Sequence, residues 1–432
     1  MKRAAFLALL ASGGFAAPAL AQQSDATDGL GSVSSANSFG RDRNIGVLER
    51  RRPDYTPEPI HVGSFELLPR VAIGAGYDDN LYAQPSDRIG DAYVRIRPKV
   101  SLVRPSPTLK LNFDAELDLL RYADRASENA TQYAVNAGAL YTISKSDTLN
   151  VSLRNGRYSQ ERVSPDSPSQ ASRPIRFTLS GANLAYTHVF NRLRVRGVFD
   201  VENRNYADSV TPGGAPIDQD FRDHTAYTGT AIGEYALSPS IAFFVAGTLN
   251  KRDYRERTGP VPARDSSGFE LAGGASFELG RKARGSLRLG YLQQDYKPAQ
   301  FKDISGFLVR GELAYFLTPL VTITGTVDRG IRETGVNGAT GYLATNFTLR
   351  ADYELLRNLI LGVGGELEKR DFNDIDRRDD RWTWRAGGSY LVNKRMTLRL
   401  DLQRRSQSSA GATAGRKFSD DRISMGVTFS GL

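Results

Sequence analysis

RISMGVTF, residues 422–429, alternates without a break: Ile423, Met425, Val427 and Phe429 fall on one side, and Arg422, Ser424, Gly426 and Thr428 on the other. A period of two marks a half-buried strand. This one ends in an aromatic residue close to the C-terminus, as the closing strand of a membrane β-barrel does. An edge strand of a soluble sandwich would look the same in isolation. The pattern upstream separates the two readings.

The same alternation recurs from Phe65 onward. Leu109, Leu111, Phe113, Ala115, Leu117 and Leu119 oppose Lys110, Asn112, Asp114, Glu116 and Asp118. Val94, Ile96 and Val100 oppose Arg95, Arg97 and Lys99, and Leu193, Val195, Phe199 and Val201 oppose Arg194, Arg196 and Asp200. Phe347, Leu349 and Tyr353 oppose Arg350 and Asp352, while Leu398, Leu400 and Leu402 oppose Arg399, Asp401 and Gln403. In all, 18 such segments follow one another, each with its connection taking roughly 20 residues. Connections alternate between tight turns, such as Ser238–Ser240 and Asn393-Lys394, and longer polar loops, such as Val163–Arg173 and Asp208–Asp218.

Charge placement assigns the faces. An Arg or Lys against lipid at the midplane costs about 2–4 kcal/mol, and these strands would carry two or three each. The charged rows therefore face a wet lumen and the Leu, Val and Phe rows face lipid. Closure removes the edges that hydrocarbon cannot satisfy, and a barrel this wide holds water instead of a packed core. The expected fold is an all-β, antiparallel transmembrane barrel of about 18 strands with both termini in the periplasm.

The first residues carry a different signal. Lys2 and Arg3, the apolar run Ala4–Leu10 and the small-residue site Ala19-Leu20-Ala21 read as a secretory signal peptide, residues 1–21, removed on export. Residues 22–65 read as a flexible periplasmic segment without a core of its own, and 66–432 as the barrel. The formal charge of +9 includes those two N-terminal residues. What remains is mild basicity over mixed charge, not a nucleic-acid footprint. There is no cysteine, hence no disulfide or thiolate chemistry.

Two aromatic rows stand out. Tyr141, Tyr186, Tyr235, Tyr315, Tyr353 and Tyr390 precede short turns on the lipid-facing row, as an interfacial girdle would. Tyr122, Tyr158, Tyr206, Tyr254, Tyr296 and Phe372 lie where long loops begin, with Arg204, Arg252 and Arg370 two positions before three of them. By strict parity the second row faces inward, an aromatic and arginine ring at the extracellular mouth where sugars could stack. A β-bulge would instead turn it into an outer girdle.

His61, His188 and His224 show no metal-ligand spacing and no partner serine. Gly362, Gly364 and Gly365 precede no helix and make no phosphate loop. Asp78-Asp79-Asn80 reads either as a cation site or as the polar start of a loop. The expectation is therefore no enzyme, no cofactor and no metal. Pore-lining candidates are Arg95, Arg97, Asp114, Glu116, Asp118, Arg194, Arg196, Arg350, Arg399 and Asp401. Expected partners are outer-membrane lipid, the barrel-assembly machinery through the strand ending at Phe429, and periplasmic polysaccharide-export components; nucleic acid is not expected.

Arg50–Gln84 carries a resemblance. Its Arg52-Pro53 lead, its Gly63-Ser64-Phe65 step, a first strand and Tyr77-Asp78-Asp79-Asn80 resemble the start of the putative beta-barrel porin type 2 family of bacterial outer-membrane proteins. The resemblance implies an outer-membrane barrel linked to exopolysaccharide or capsule gene clusters. It assigns no catalytic or ligand residue. The function expected from both lines is a barrel assisting passage of a polysaccharide, with inward arginines facing an anionic chain. A diffusion porin for small solutes and a non-conducting structural or adhesive barrel are the alternatives.

Overall fold

The computed structural model describes residues 44–255 and 262–431. The expected signal peptide and residues 22–43 lie outside the described residues. Among the described residues no helix is long and apolar enough to cross a membrane. The described residues form eighteen long strands. They are β1 (Phe65–Asp78), β2 (Asp91–Arg104), β3 (Leu109–Tyr122), β4 (Ala130–Thr142), β5 (Asp147–Ser159), β6 (Arg176–Val189), β7 (Leu193–Tyr206), β8 (His224–Ser238) and β9 (Ile241–Tyr254). Then come β10 (Ser266–Leu279), β11 (Ala283–Tyr296), β12 (Ile304–Thr318), β13 (Val321–Glu333), β14 (Gly341–Leu356), β15 (Leu359–Phe372), β16 (Arg378–Leu391), β17 (Met396–Ala410) and β18 (Phe418–Ser430).

Every strand pairs antiparallel with its chain neighbours, and β18 returns to β1 from Arg70↔Ser430 to Asp78↔Arg422. The barrel is closed, so no long sheet edge is left to face hydrocarbon. One rim carries short turns such as 239–240, 319–320 and 357–358, and the other carries loops such as 79–90, 160–175 and 207–223. The strand expected to start near Gln219 begins at His224, because Asp220–Arg222 forms a 3-10 turn. The Asp220 N–H donates to Asp218 Oδ1 at 2.8 Å, the side-chain bond that lets Asp start a turn.

Burial follows the alternation. Val245, Leu349 and Leu400 are exposed on the outer face, while the intervening residues turn inward. The six tyrosines before short turns are 38–48 % exposed, which puts the girdle on the outer surface. Register shifts occur at Ala236/Ser238, Phe316/Thr318 and Glu354/Leu356, all beside short turns.

Residues 44–62 correct the expectation of a flexible segment. They run along the inner side of the short-turn rim. Asn44 Nδ2 donates to Glu278 Oε1 at 2.9 Å and to the Gly280 carbonyl at 2.7 Å. Val47 is fully buried, and its N–H donates to Thr322 Oγ1 at 3.0 Å. Arg50 and Arg52 converge on the buried Glu354 at 2.8 and 2.9 Å. Lys394 pairs with Glu58, after which Ile60–Val62 folds back on β1 through Gly63, whose φ is 61°. This strap has no core of its own, but the inward groups of the rim supply one. Its Arg52 and Gly63 are two of the residues in the N-terminal motif: a buried ion-pair partner and a turn that needs positive φ.

Candidate functional site

The charged rows turn inward, but most of their charge is already neutralised. Arg95 and Asp118 form a two-pronged pair, with Nε donating to Oδ1 at 2.8 Å. Asp114 accepts from Ser101 Oγ at 2.5 Å and lies 3.6 Å from Lys99. Arg194 pairs with Glu234, Arg350 with Asp352 at 2.6 Å, and Arg399 with Asp401 at 2.8 Å. Arg97 sits close to Glu116, Arg95 and Arg399. Arg196 makes no ion pair within 4.0 Å among the described residues. The wall is thus a lattice of acid–base pairs, with Arg196 outside it among the described residues. Paired charges hold counter-ions less tightly than a bare arginine row would.

The second aromatic row faces inward, because no register shift interrupts its strands near the long loops. It is not an open stacking platform, however. Tyr158, Tyr206, Tyr254, Tyr296 and Phe372 are buried beneath the loops. Phe177 lies 5.5 Å from Tyr158 and 5.2 Å from Tyr206, ring centre to ring centre. Arg222 covers Tyr206 at 3.9 Å, and Arg377 covers Phe372 at 4.5 Å. The accompanying arginines are engaged as well: Arg204 with Glu202 at 2.8 Å, Arg252 with Glu333 at 2.6 Å, and Arg370 with Glu368 at 2.6 Å. Sugars could not reach these rings without the loops moving, which corrects the expected extracellular-mouth ring.

The loop 160–175 covers Tyr158 and Tyr206 through Ala171 and Ile175. Arg162 forms a buried pair with Glu128 at 2.6 Å. Farther along, Asp166 accepts from Thr334 Oγ1 at 2.5 Å and from the Gly335 N–H at 2.8 Å, contacts beyond β13. The Val163 carbonyl accepts from Arg381 at 2.6 Å, and the Ser167 carbonyl from Arg416 at 2.8 Å. A loop rising between β5 and β6 therefore reaches the far wall and is anchored by polar contacts on both sides. Burial beside Arg162 and Arg377 lowers the Arg416 guanidinium to about 10.

At the root of this loop is a charge cluster. Glu161 lies 2.9 Å from Arg405 and 3.8 Å from Arg422, which also meet Asp420 and Asp78. Burial pushes the Glu161 carboxyl up, but Arg405 and Arg422 outweigh it and hold the group at about 2. Sequence reasoning missed Glu161, Arg405, Arg422 and Asp420. Their signal was charge of both signs on inward rows at the ends of β17 and β18.

Asp78-Asp79-Asn80 proves to be a clasp on the closing seam. Asp78 lies 2.7 Å from Arg422 Nε, and Asp79 Oδ1 accepts the Asp421 N–H at 2.6 Å. Asn80 Nδ2 donates to the Ser419 and Gln84 carbonyls at 2.8 and 2.7 Å. These oxygens already face protein N–H groups or the Arg422 guanidinium, so the loop-start reading fits better than a cation site. His224 Nδ1 lies 2.8 Å from the Arg222 carbonyl and stacks on Tyr254, while His188 lies 2.5 Å from Asp147. His224 is buried in this packing, and His188 is held at the rim by Asp147.

The family described as putative beta-barrel porin 2 matches residues 52–430. No curated protein matches the sequence. Similar solved structures include barrels from Pseudomonas aeruginosa. The outer membrane protein OpdK is 12% identical, with 84% of this chain and 99% of that one covered at a TM-score of 0.45. OccK2 in complex with glucuronate is 13% identical, covering 84% and 98% at 0.46. A mutant of the ferric enterobactin receptor PfeA is 8% identical, covering 87% and 81% at 0.45.

Proposed function

This chain belongs to the putative beta-barrel porin 2 family, and from that premise we propose that it is a narrow outer-membrane channel for small, preferentially anionic solutes. It is an outer-membrane β-barrel of porin type. The observation that carries the finer reading is the loop 160–175, which crosses the mouth from Glu128 to Thr334 and Gly335. A loop anchored across the lumen limits the bore to small solutes. The paired wall beneath it supplies weak, repeated contacts of the kind conduction needs. Arg196 tips the balance toward anions. The short-turn rim and its strap would face the periplasm.

Passage of a polysaccharide, expected from the resemblance, would require the loop to leave the mouth, and no observation favours it over the small-solute reading. Planar bilayers holding the refolded mature chain separate the readings. Small stepwise conductances with anion preference under a salt gradient are expected, and deletion of residues 163–171 should enlarge them. Silence of a folded barrel, both intact and loop-deleted, would overturn the channel reading. Steps that appear only when an acidic oligosaccharide is added would favour polymer passage.

A further inference from the structure

The loops over the inner aromatic row close on a small polar cavity. Its volume is about 20 Å³, room for roughly one water-sized sphere, and its lining includes Gln160, Asp166, Arg204, Arg222, Arg264 and Thr334. Besides Arg204 on β7, four loop segments meet there. They are the loop 160–175, the turn before β8, the residues leading into β10 and the end of β13.

The charges around this cavity do not balance. Its lining carries three arginines and two carboxylates, Asp166 and Glu333. Arg204 pairs with Glu202 at 2.8 Å, and Glu333 pairs with Arg252 at 2.6 Å. With those two partners included, four arginines stand against three carboxylates. Asp166 is the carboxylate left for Arg222 and Arg264. Arg222 approaches it only to 3.7 Å, and the other Asp166 oxygen already accepts from Thr334 Oγ1 and the Gly335 N–H. Arg264 is 2 % exposed. Among the described residues its guanidinium donates to the Thr334 carbonyl, lies 5.4 and 5.9 Å from the Phe221 and Tyr254 ring centres, and meets no carboxylate within 4.0 Å. One hydrogen bond leaves most of its N–H groups to the cavity and the ring faces.

From this imbalance we propose that the cavity is a binding site for a single halide ion, held by the Arg222 and Arg264 guanidiniums. The proposal stands on the cavity's charge and volume and is independent of what the lumen conducts. A buried guanidinium without a counter-charge is costly. The ring faces offset part of that cost, and water would fill the volume without supplying charge. A halide supplies it through charge-assisted hydrogen bonds. The single excess positive charge matches a monovalent ion, and the volume excludes phosphate, carboxylates and sugars. The ion would tie the loop 160–175, through Gln160 and Asp166, to the segments that carry Arg222, Arg264 and Thr334. Halide binding thereby braces the closed mouth.

Hydrogen exchange and anomalous scattering test this on the full mature chain, without recourse to conductance. The chain folded in phospholipid bilayers is compared in sodium chloride and in sodium gluconate of equal ionic strength, gluconate being too large to enter. Amide exchange of residues 160–175 is expected to slow about tenfold once chloride reaches about ten times its dissociation constant. Crystals grown in sodium bromide should show an anomalous peak between Arg222 and Arg264. Arg264→Met keeps the length of the side chain and removes its charge. That variant, shown to be folded by heat-modifiable migration on gels, should exchange equally in the two salts and lose the peak. Equal exchange of the natural chain in both salts would overturn the proposal, as would bromide at exposed positions alone, an adventitious ion only. A folded variant that keeps the chloride effect would also overturn it. If the variant does not fold, the bromide map of the natural chain decides.

Discussion

Replacing Glu161 by Gln should loosen the loop across the mouth. In the closed arrangement its carboxyl is held at about 2, against an ordinary 4.5, by Arg405 and Arg422 acting against burial. A difference of that size corresponds to about 3 kcal/mol favouring the ionised, docked loop. Water still reaches 22% of the side chain, and screening reduces this to about 2 kcal/mol. The two arginines would not be orphaned, because Asp420 stays 3.0 Å from Arg405 and Asp78 stays 2.7 Å from Arg422. The severe penalty for a buried charge stripped of every partner, about 3–5 kcal/mol, therefore does not apply. Glu161→Gln should raise the ratio of open to closed dwell times about thirtyfold in single-channel records. The sign of the pH dependence follows from a depressed carboxyl. Its contribution to closure is complete above about 4.5 and disappears as the pH falls toward about 2. The natural channel should thus open on acidification across that window, and the variant should not respond. A folded Glu161→Gln barrel with unchanged dwell times and an unchanged acid response would refute the reasoning.

Two further expectations concern the wall and the strap. Leu349 is 61 % exposed near the middle of β14, so Leu349→Arg should cost about 2–4 kcal/mol in urea unfolding from bilayers, whereas Thr348→Arg on the inward face should cost under about 1 kcal/mol; equal costs would contradict the assigned faces. Glu354→Gln removes the carboxylate shared by Arg50 and Arg52 and should expose Arg50-Arg51-Arg52 to trypsin within minutes, while the natural chain resists; equal protection would mean that the other strap contacts suffice.

The wall was legible because its two faces differ in chemistry at every second residue. A row such as Arg95, Arg97 and Lys99 cannot face lipid, so parity alone oriented β2, and the same held for β7, β14 and β17. The girdle tyrosines agreed, since each fell on the row already assigned to lipid. The inner aromatic row was less secure, because one inserted residue would have reversed it. The register shifts cluster beside short turns, where strands are most strongly bent, and leave the long-loop ends of β7, β9 and β15 in strict alternation.

The destination of the loops was not legible, and the reason lies in closure. Asp166 meets Thr334, which is 168 positions away, and the Ser164 carbonyl meets Arg416, which is 252 away. No local periodicity encodes such contacts; they exist only once β18 has returned to β1. The same holds for Asp78, whose neighbours in sequence suggest a polar loop start while its partner Arg422 is almost a chain length distant. Nor does composition help, because arginines and carboxylates serve equally to line a wet lumen and to clamp a buried loop. Position separates the two uses. Charges midway along a strand, such as Arg399 and Asp401, pair within their own strand and leave the lumen wet. Charges at the long-loop end, such as Arg405 with Asp420 on the next strand and Arg422 with Asp78 across the seam, pair between strands and take Glu161 with them. An inward charge within a few residues of a long loop is therefore better read as an anchor for that loop than as part of a solute path. On that rule Arg252, which reaches Glu333 at the loop end of β13, would have been assigned as an anchor from the sequence alone, whereas Arg204 and Arg370 pair with Glu202 and Glu368 on their own strands.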